Sequence, residues 1–215
     1  MLFVVDGNIG AGKTTLLEAV HRICPTYTVL YEPLLEWTEP VIEGEPSVLE
    51  LFYSDPGAYA FELQMNILRA RFQLLMDHKD AVNDPDQVVI VERSVHTDLH
   101  IFGQLMVADG HFTASQLDTL SKWVRALYAT FPMLASPTGH VYLEKPTDVC
   151  VSQIKSRSRS QEKQIDVRYI EQLHARHNSW FASLPTHNRL KLSDSLEANQ
   201  LVGFVETFRK NVKDN

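Results

Sequence analysis

Gly7-Asn8-Ile9-Gly10-Ala11-Gly12-Lys13-Thr14-Thr15 fits the pattern G-x-x-x-x-G-K-[ST] at every fixed position. The residues before it, Leu2–Asp6, form an apolar run short enough for a buried strand, and Thr14–Ile23 after it reads as a helix. Strand, glycine-rich turn and helix are the context that gives the pattern physical meaning. Glycines at 7, 10 and 12 permit a tight turn and expose successive backbone N–H groups to an anion. The helix N-terminus adds its partial positive charge. Lys13 offers a mobile cation for outer phosphates, and Thr14 a hydroxyl for Mg²⁺. The loop therefore predicts a nucleoside triphosphate with Mg²⁺, held by residues 7–15. It leaves the phosphate acceptor open.

Outward from the loop, short apolar segments alternate with longer amphipathic ones. Strands are predicted at Leu2–Asp6, Tyr27–Tyr31, Gln87–Val91, His140–Leu143 and Arg189–Leu192. Helices are predicted at Thr14–Ile23, Ser47–Ser54, Pro56–His78, Val95–Met106, Ala114–Phe131, Thr147–Lys155, Val167–Ser183 and Leu196–Val212. Such alternation predicts an α/β fold: a five-stranded, mainly parallel sheet flanked by helices, as one domain over residues 1–215. Ligands of such sheets bind at the carboxyl ends of the strands.

Composition narrows the function classes. The chain of 215 residues is 44% hydrophobic and 22% charged, with a formal net charge of −7. That balance argues against a nucleic-acid polymer as partner. No apolar run approaches the roughly 18 residues of a membrane span. Leu2–Val5 runs straight into the loop, so no presequence is expected. Cys24 and Cys150 suggest neither a disulfide framework nor a metal site, and a reducing, cytoplasmic compartment is expected.

Three further segments carry candidate chemistry. Tyr31-Glu32-Pro33 closes the second strand, and Pro33 biases Glu32 toward an extended backbone at the strand tip, where a carboxylate could take a proton from a hydroxyl. An exposed strand-end glutamate is the plainer reading of that segment alone. The third strand delivers Glu92-Arg93-Ser94, with Glu92 placed for Mg²⁺ and Arg93 for an acceptor hydroxyl or the charge of transfer; a structural Glu92–Arg93 ion pair is the alternative. Lys155, Arg157 and Arg159 make a cationic run in an acidic chain, read as a lid over about 153–166. Gln64, Ile67 and Arg71 share one helix face, which suits a flat polar base, and Asp98 is a plausible partner for Arg71.

Taken together, GNIGAGKTT (7–15), YEP (31–33), VLELFYSDP (48–56), Gln64, VERSVHTD (91–98), the arginine-rich segment and YIEQLHARHNSW (169–180) resemble the deoxynucleoside kinase family. The resemblance runs from Phe3 to about Leu192. It implies transfer of the ATP γ-phosphoryl to a deoxynucleoside 5′-hydroxyl. Glu32 would be the general base, Arg93 the arginine beside the hydroxyl, and Glu92 the Mg²⁺-directing acid. Tyr53 and Glu162 would hold the sugar 3′-hydroxyl, Gln64 would read the base edge, and Trp37 and Phe102 would wall the base. Arg157 and Arg159 would clamp ATP phosphates. Arg71 with Asp98 would mark the deoxycytidine/purine side of the family rather than the thymidine side, with Ile67 crowding a purine. A homodimer through helix surfaces near 60–78 and 115–130, and end-product inhibition, are also implied. Gln153, Gln161 and Leu63 depart from the family pattern. A nucleoside monophosphate kinase and a non-catalytic nucleotide-binding protein are the rival functions.

Overall fold

The computed structural model describes residues 1–157 and 165–213, with side chains through Lys210. Its centre is a sheet of five parallel strands in the order β2-β3-β1-β4-β5. These are β1 (Leu2–Gly7), β2 (Thr28–Leu30), β3 (Val89–Glu92), β4 (Gly139–Leu143) and β5 (Arg189–Leu192). β1 is buried along its whole length, as a central parallel strand covered on both faces must be. It pairs with β3 (Val5 opposite Glu92) and with β4 (Asp6 opposite Tyr142).

The two faces have different covers. Leu2 and Val4 of β1, with Val89 and Val91 of β3, pack under α3 (Val48–Ser54), α4 (Pro56–Asp77) and α8 (Ala114–Thr130). Phe3 and Val5, with Ile90, Val141 and Leu143, pack under α1 (Lys13–Ile23) and α11 (Ala198–Lys213). α10 (Val167–Ser183) contributes Phe181 and His177 against Tyr142. The remaining helices are α2 (Leu35–Thr38), α5 (Lys79–Asn83), α6 (Val95–Thr97), α7 (Gln104–Ala108) and α9 (Thr147–Arg157).

Local chemistry sets the helix starts. Ser47 and Glu50 form a capping box on α3, and Thr113 and Gln116 form one on α8. Asp55 caps α4 by accepting from the Ala58 amide, with Pro56 in the first turn, where its missing N–H costs nothing.

The expected helix over Val95–Met106 is instead three pieces. One turn of α6 is followed by a π-helix over Asp98–Gly103 and then α7. The wider π turn carries Asp98 and Ile101 into the interior, a use that π segments often have beside functional sites. The predicted Pro56–His78 helix ends at Asp77, and α2 and α5 form where loops were expected. Gln153–Arg157 of the expected lid is the end of α9. Arg159, Gln161 and Glu162 lie outside the described residues.

Candidate active site

The loop between β1 and α1 takes its shape from glycine. Gly10 and Gly12 have φ of 76° and 92°, and a Cβ at Gly10 would stand 2.5 Å from the Cys150 carbonyl oxygen. Asn8 fixes the loop from within. Its amide donates to the Ile170 carbonyl at 2.9 Å and its side-chain oxygen accepts from the Ile9 amide at 2.8 Å. Lys13 Nζ donates to the Asn8 carbonyl at 3.1 Å. Burial, then the Arg93 charge, pulls the Lys13 pKa down to about 8, with Glu92, Glu32 and Asp6 opposing, so it stays cationic at neutral pH.

At the next position, the Thr14 hydroxyl lies 3.1 Å from each Glu92 carboxylate oxygen. A hydroxyl and a carboxylate this close beside a phosphate loop fit Mg²⁺, which takes one or two protein oxygens and fills the rest with phosphate and water. Among the described residues no group of three or more His, Cys, Asp or Glu could hold a metal by itself.

Opposite the loop, Glu32 sits two residues beyond β2. Arg71 Nη2 reaches it at 2.9 Å and Arg93 Nε at 3.3 Å. Burial would raise the Glu32 pKa, but Arg93, Arg71 and Lys13 overcome it and hold the carboxyl below its ordinary value. Arg71 uses the rest of its fork on Asp98 (Nε, 2.7 Å) and on the Glu92 carbonyl (Nη1, 3.1 Å). The Arg71–Asp98 pairing read from the sequence is thus formed. Burial nonetheless pushes Asp98 up to about 6, with Arg71 opposing and Glu32 adding to the rise. Arg93 has a φ of 61°, the sole positive value among described non-glycine residues. That backbone costs about 1–2 kcal/mol. Its guanidinium lies over the Phe102 ring, 5.1 Å from the centroid, and pairs with Glu32 rather than with Glu92.

These groups share a cavity of about 350 Å³, within the usual range for small-ligand sites. Gly10, Gly12, Lys13, Thr14 and Thr15 of the loop line it together with Glu32, Glu92 and Arg93. Trp37, Tyr53, Gln64, Ile67, Asp98 and Phe102 also line it. Gln64 is 1% exposed and lines the cavity, and its Oε1 has no hydrogen-bond partner among the described residues. Arg157 lines the mouth. Ile9 also lines the cavity, whereas Gly7, Asn8, Ala11 and Arg71 stand behind its wall. Arg71, expected to face a base beside Gln64, has its guanidinium committed to Glu32, Asp98 and the β3 backbone instead.

Sequence reasoning passed over Asp6, Thr97 and Tyr169. Asp6 is 1% exposed and accepts a hydrogen bond from Thr97 Oγ1. An acid inside the apolar run LFVVD was its signal, since a buried carboxylate needs a reason. Tyr169 lines the cavity from α10, and nothing local to it in the sequence points there.

The family model for deoxynucleoside kinases matches residues 3–213. The chain is 26% identical to the mitochondrial deoxyguanosine kinase of Xenopus laevis over 194 residues, which cover 85% of this chain and 73% of that one. It is 26% identical to the deoxycytidine kinase of Homo sapiens over 190 residues (82% and 73%). It is 29% identical to the thymidine kinase of Ictalurid herpesvirus 1 over 199 residues (92% and 81%). With a parallel sheet that carries a phosphate loop and an acidic group to one cavity, this match places the chain in the deoxynucleoside kinase family, as an ATP-dependent deoxynucleoside kinase.

Proposed function

We propose that this kinase phosphorylates the 5′-hydroxyl of deoxycytidine or a purine deoxynucleoside in preference to thymidine, with residues 1–215 acting as one domain. The observation that carries the reading is the Glu32 carboxylate, held by Arg71 at 2.9 Å and Arg93 at 3.3 Å in the cavity that Lys13 also lines. Glu32 is ionised at neutral pH, so it accepts a hydrogen bond from the 5′-hydroxyl. The proton moves to it as the new O–P bond forms and the hydroxyl becomes acidic, while the bond from the γ-phosphorus to the bridging oxygen breaks and ADP leaves. Lys13 and Arg93, with Arg157 and Arg159 from the lid, carry the charge on the transferring group. Thr14 and Glu92 would hold Mg²⁺, which neutralises the β- and γ-phosphate oxygens when bound.

Trp37 and Phe102 wall the base, Gln64 reads its edge, and Tyr53 holds the 3′-hydroxyl, a role the family resemblance also gives to Glu162, which lies outside the described residues. Ile67 limits the width available to the base. The base preference is supported by Asp98, which lines the cavity as a hydrogen-bond acceptor. An exocyclic amine of cytosine or adenine can donate to it, whereas a thymine methyl there would desolvate a carboxylate without a partner. A homodimer through α4 and α8 is supported by Phe72 and Trp123, large apolar side chains 38% and 55% exposed. Two free cysteines fit a cytoplasmic setting, and among the described residues no helix is long and apolar enough to cross a membrane.

The test is a panel of the four natural deoxynucleosides with Mg-ATP, with thymidine monophosphate beside them. Deoxycytidine or a purine deoxynucleoside is expected to give the highest kcat/KM, and thymidine monophosphate no turnover. Glu32→Gln is expected to lower kcat by about 10²–10⁴-fold while ATP binding persists. Equal turnover of wild type and variant would remove Glu32 from the role.

A further inference from the structure

Arg93 is held in its left-handed conformation by hydrogen bonds on both flanking amides. Its own N–H donates to the Val5 carbonyl at 2.9 Å. The N–H of Ser94, on the other side of its Cα, donates to Thr97 Oγ1 at 3.3 Å. Thr97 Oγ1 in turn donates to Asp6 Oδ1. Thr97 is fully buried and Asp6 nearly so, so water does not compete for these bonds. One anchor fixes rotation before the Arg93 Cα and the other fixes rotation after it. Both end on consecutive residues of β1, and the residue after Asp6 opens the phosphate loop.

The geometry points to Asp6 and Thr97 as positioning residues: together with the Val5 carbonyl they latch Arg93 in a conformation a non-glycine residue avoids, and so aim its guanidinium at Glu32 and the acceptor hydroxyl. Without the latch the residue relaxes toward ordinary φ, and a side chain anchored there swings away from Glu32. The pair touches neither substrate nor donor and acts through Arg93. Asp6 thereby ties the acceptor-side arginine to the strand that ends in the phosphate loop, so the two halves of the site share one rigid reference.

The inference rests on the role given to Arg93 above, and a double-mutant cycle separates the two. Thr97→Val keeps the shape and removes the hydroxyl; Thr97→Ser restores it. Arg93→Ala alone is expected to cut kcat at least a hundredfold, and unchanged turnover in that variant would overturn the role of Arg93 and the latch together. Given that loss, Thr97→Val is expected to lower kcat at least tenfold with KM for Mg-ATP within twofold, and Thr97→Ser to recover it to within about threefold. In the Arg93→Ala background, Thr97→Val is expected to change kcat less than twofold. Equal losses in both backgrounds, or full kcat in Thr97→Val, would overturn the latch and leave Arg93 in place. If Thr97→Val does not accumulate folded, the isosteric Asp6→Asn replaces it in the cycle. That variant is expected to lower kcat at least threefold only where Arg93 is present, and equal loss in both backgrounds overturns the latch.

Discussion

Arg71 shows how one side chain can serve a site without facing its ligand. Its fork joins Glu32 on the β2 side, Asp98 on the π-helix and the carbonyl of Glu92 on β3. A guanidinium suits this task, because it presents fixed donors and stays charged when buried. Removing it alone strands the buried Asp98 carboxylate, a change that typically costs about 3–5 kcal/mol, and leaves Glu32 with Arg93 at 3.3 Å. Replacing Arg71 and Asp98 together, as Arg71→Met with Asp98→Ala, removes the charge in pairs and leaves an apolar wall. Turnover of every substrate is expected to fall, since Glu32 loses its 2.9 Å partner. The ratio of kcat/KM for thymidine over deoxycytidine is expected to rise at least tenfold. An unchanged ratio would dissociate Asp98 from base choice.

At the scale of elements, short helices carry chemistry into the cavity, and their ends are set by side chains. α3 delivers Tyr53, and its capping box closes with the Ser47 amide donating to Glu50 at 2.8 Å and the Glu50 amide donating to Ser47 Oγ at 3.3 Å. Ser47→Ala is expected to cost about 1 kcal/mol, a fall in Tm of about 2–4 °C for a chain of this size, measurable by calorimetry. These caps were readable, because S-x-x-E and T-x-x-Q announce helix starts whatever the tertiary surroundings. The loop at 7–15 was readable for the same reason: its geometry follows from glycine at fixed spacing. The π-helix over Asp98–Gly103 was not. VHTDLHIFGQLM has the periodicity of an ordinary helix, and the ion pair that buried Asp98 makes with Arg71 joins residues 27 apart in the chain, beyond the reach of local periodicity. Nor could the left-handed Arg93 be read from ERS, since a bulky residue there runs against local preference, and its flanking amides bond to the Val5 carbonyl of β1 and to Thr97 Oγ1 of α6.

Across the whole molecule, protonation couples the fold to pH through groups other than Glu32. His177 stacks on Tyr142 at 5.8 Å, and His140 meets Trp180 edge-on. Burial pulls His177 down to about 3 and His140 to about 4, with Arg93 adding to the first and His96 to the second. Both folded values lie below the unfolded 6.5, so their contribution is complete above that pH and declines as pH falls toward the folded values. The unfolded chain gains protons that the fold refuses, at about 1.4 kcal/mol per pH unit for each histidine in the limit. Asp98 has the opposite sign, since a folded value of about 6 favours the fold on acidification toward 3.8; it offsets one histidine of the two. Tm is therefore expected to fall as pH drops from 7 to 5. His177→Phe, which keeps a flat ring beside Tyr142, is expected to flatten that slope, and an identical slope would rule out its titration as the cause.

Because all five strands run in one direction, the phosphate loop after β1, Glu32 after β2 and Glu92 with Arg93 at the end of β3 emerge from the same rim of the sheet. The connections entering β2, β3, β4 and β5 lie on the other rim, and each contains proline: Pro25 before β2, Pro85 before β3, Pro132 and Pro137 before β4, and Pro185 before β5. Among the described residues, none assigned above to transfer lies on that rim. Its turns are free to lengthen, shorten or accept a fused partner while catalysis continues at the opposite side, so variation among descendants of this chain has somewhere harmless to accumulate.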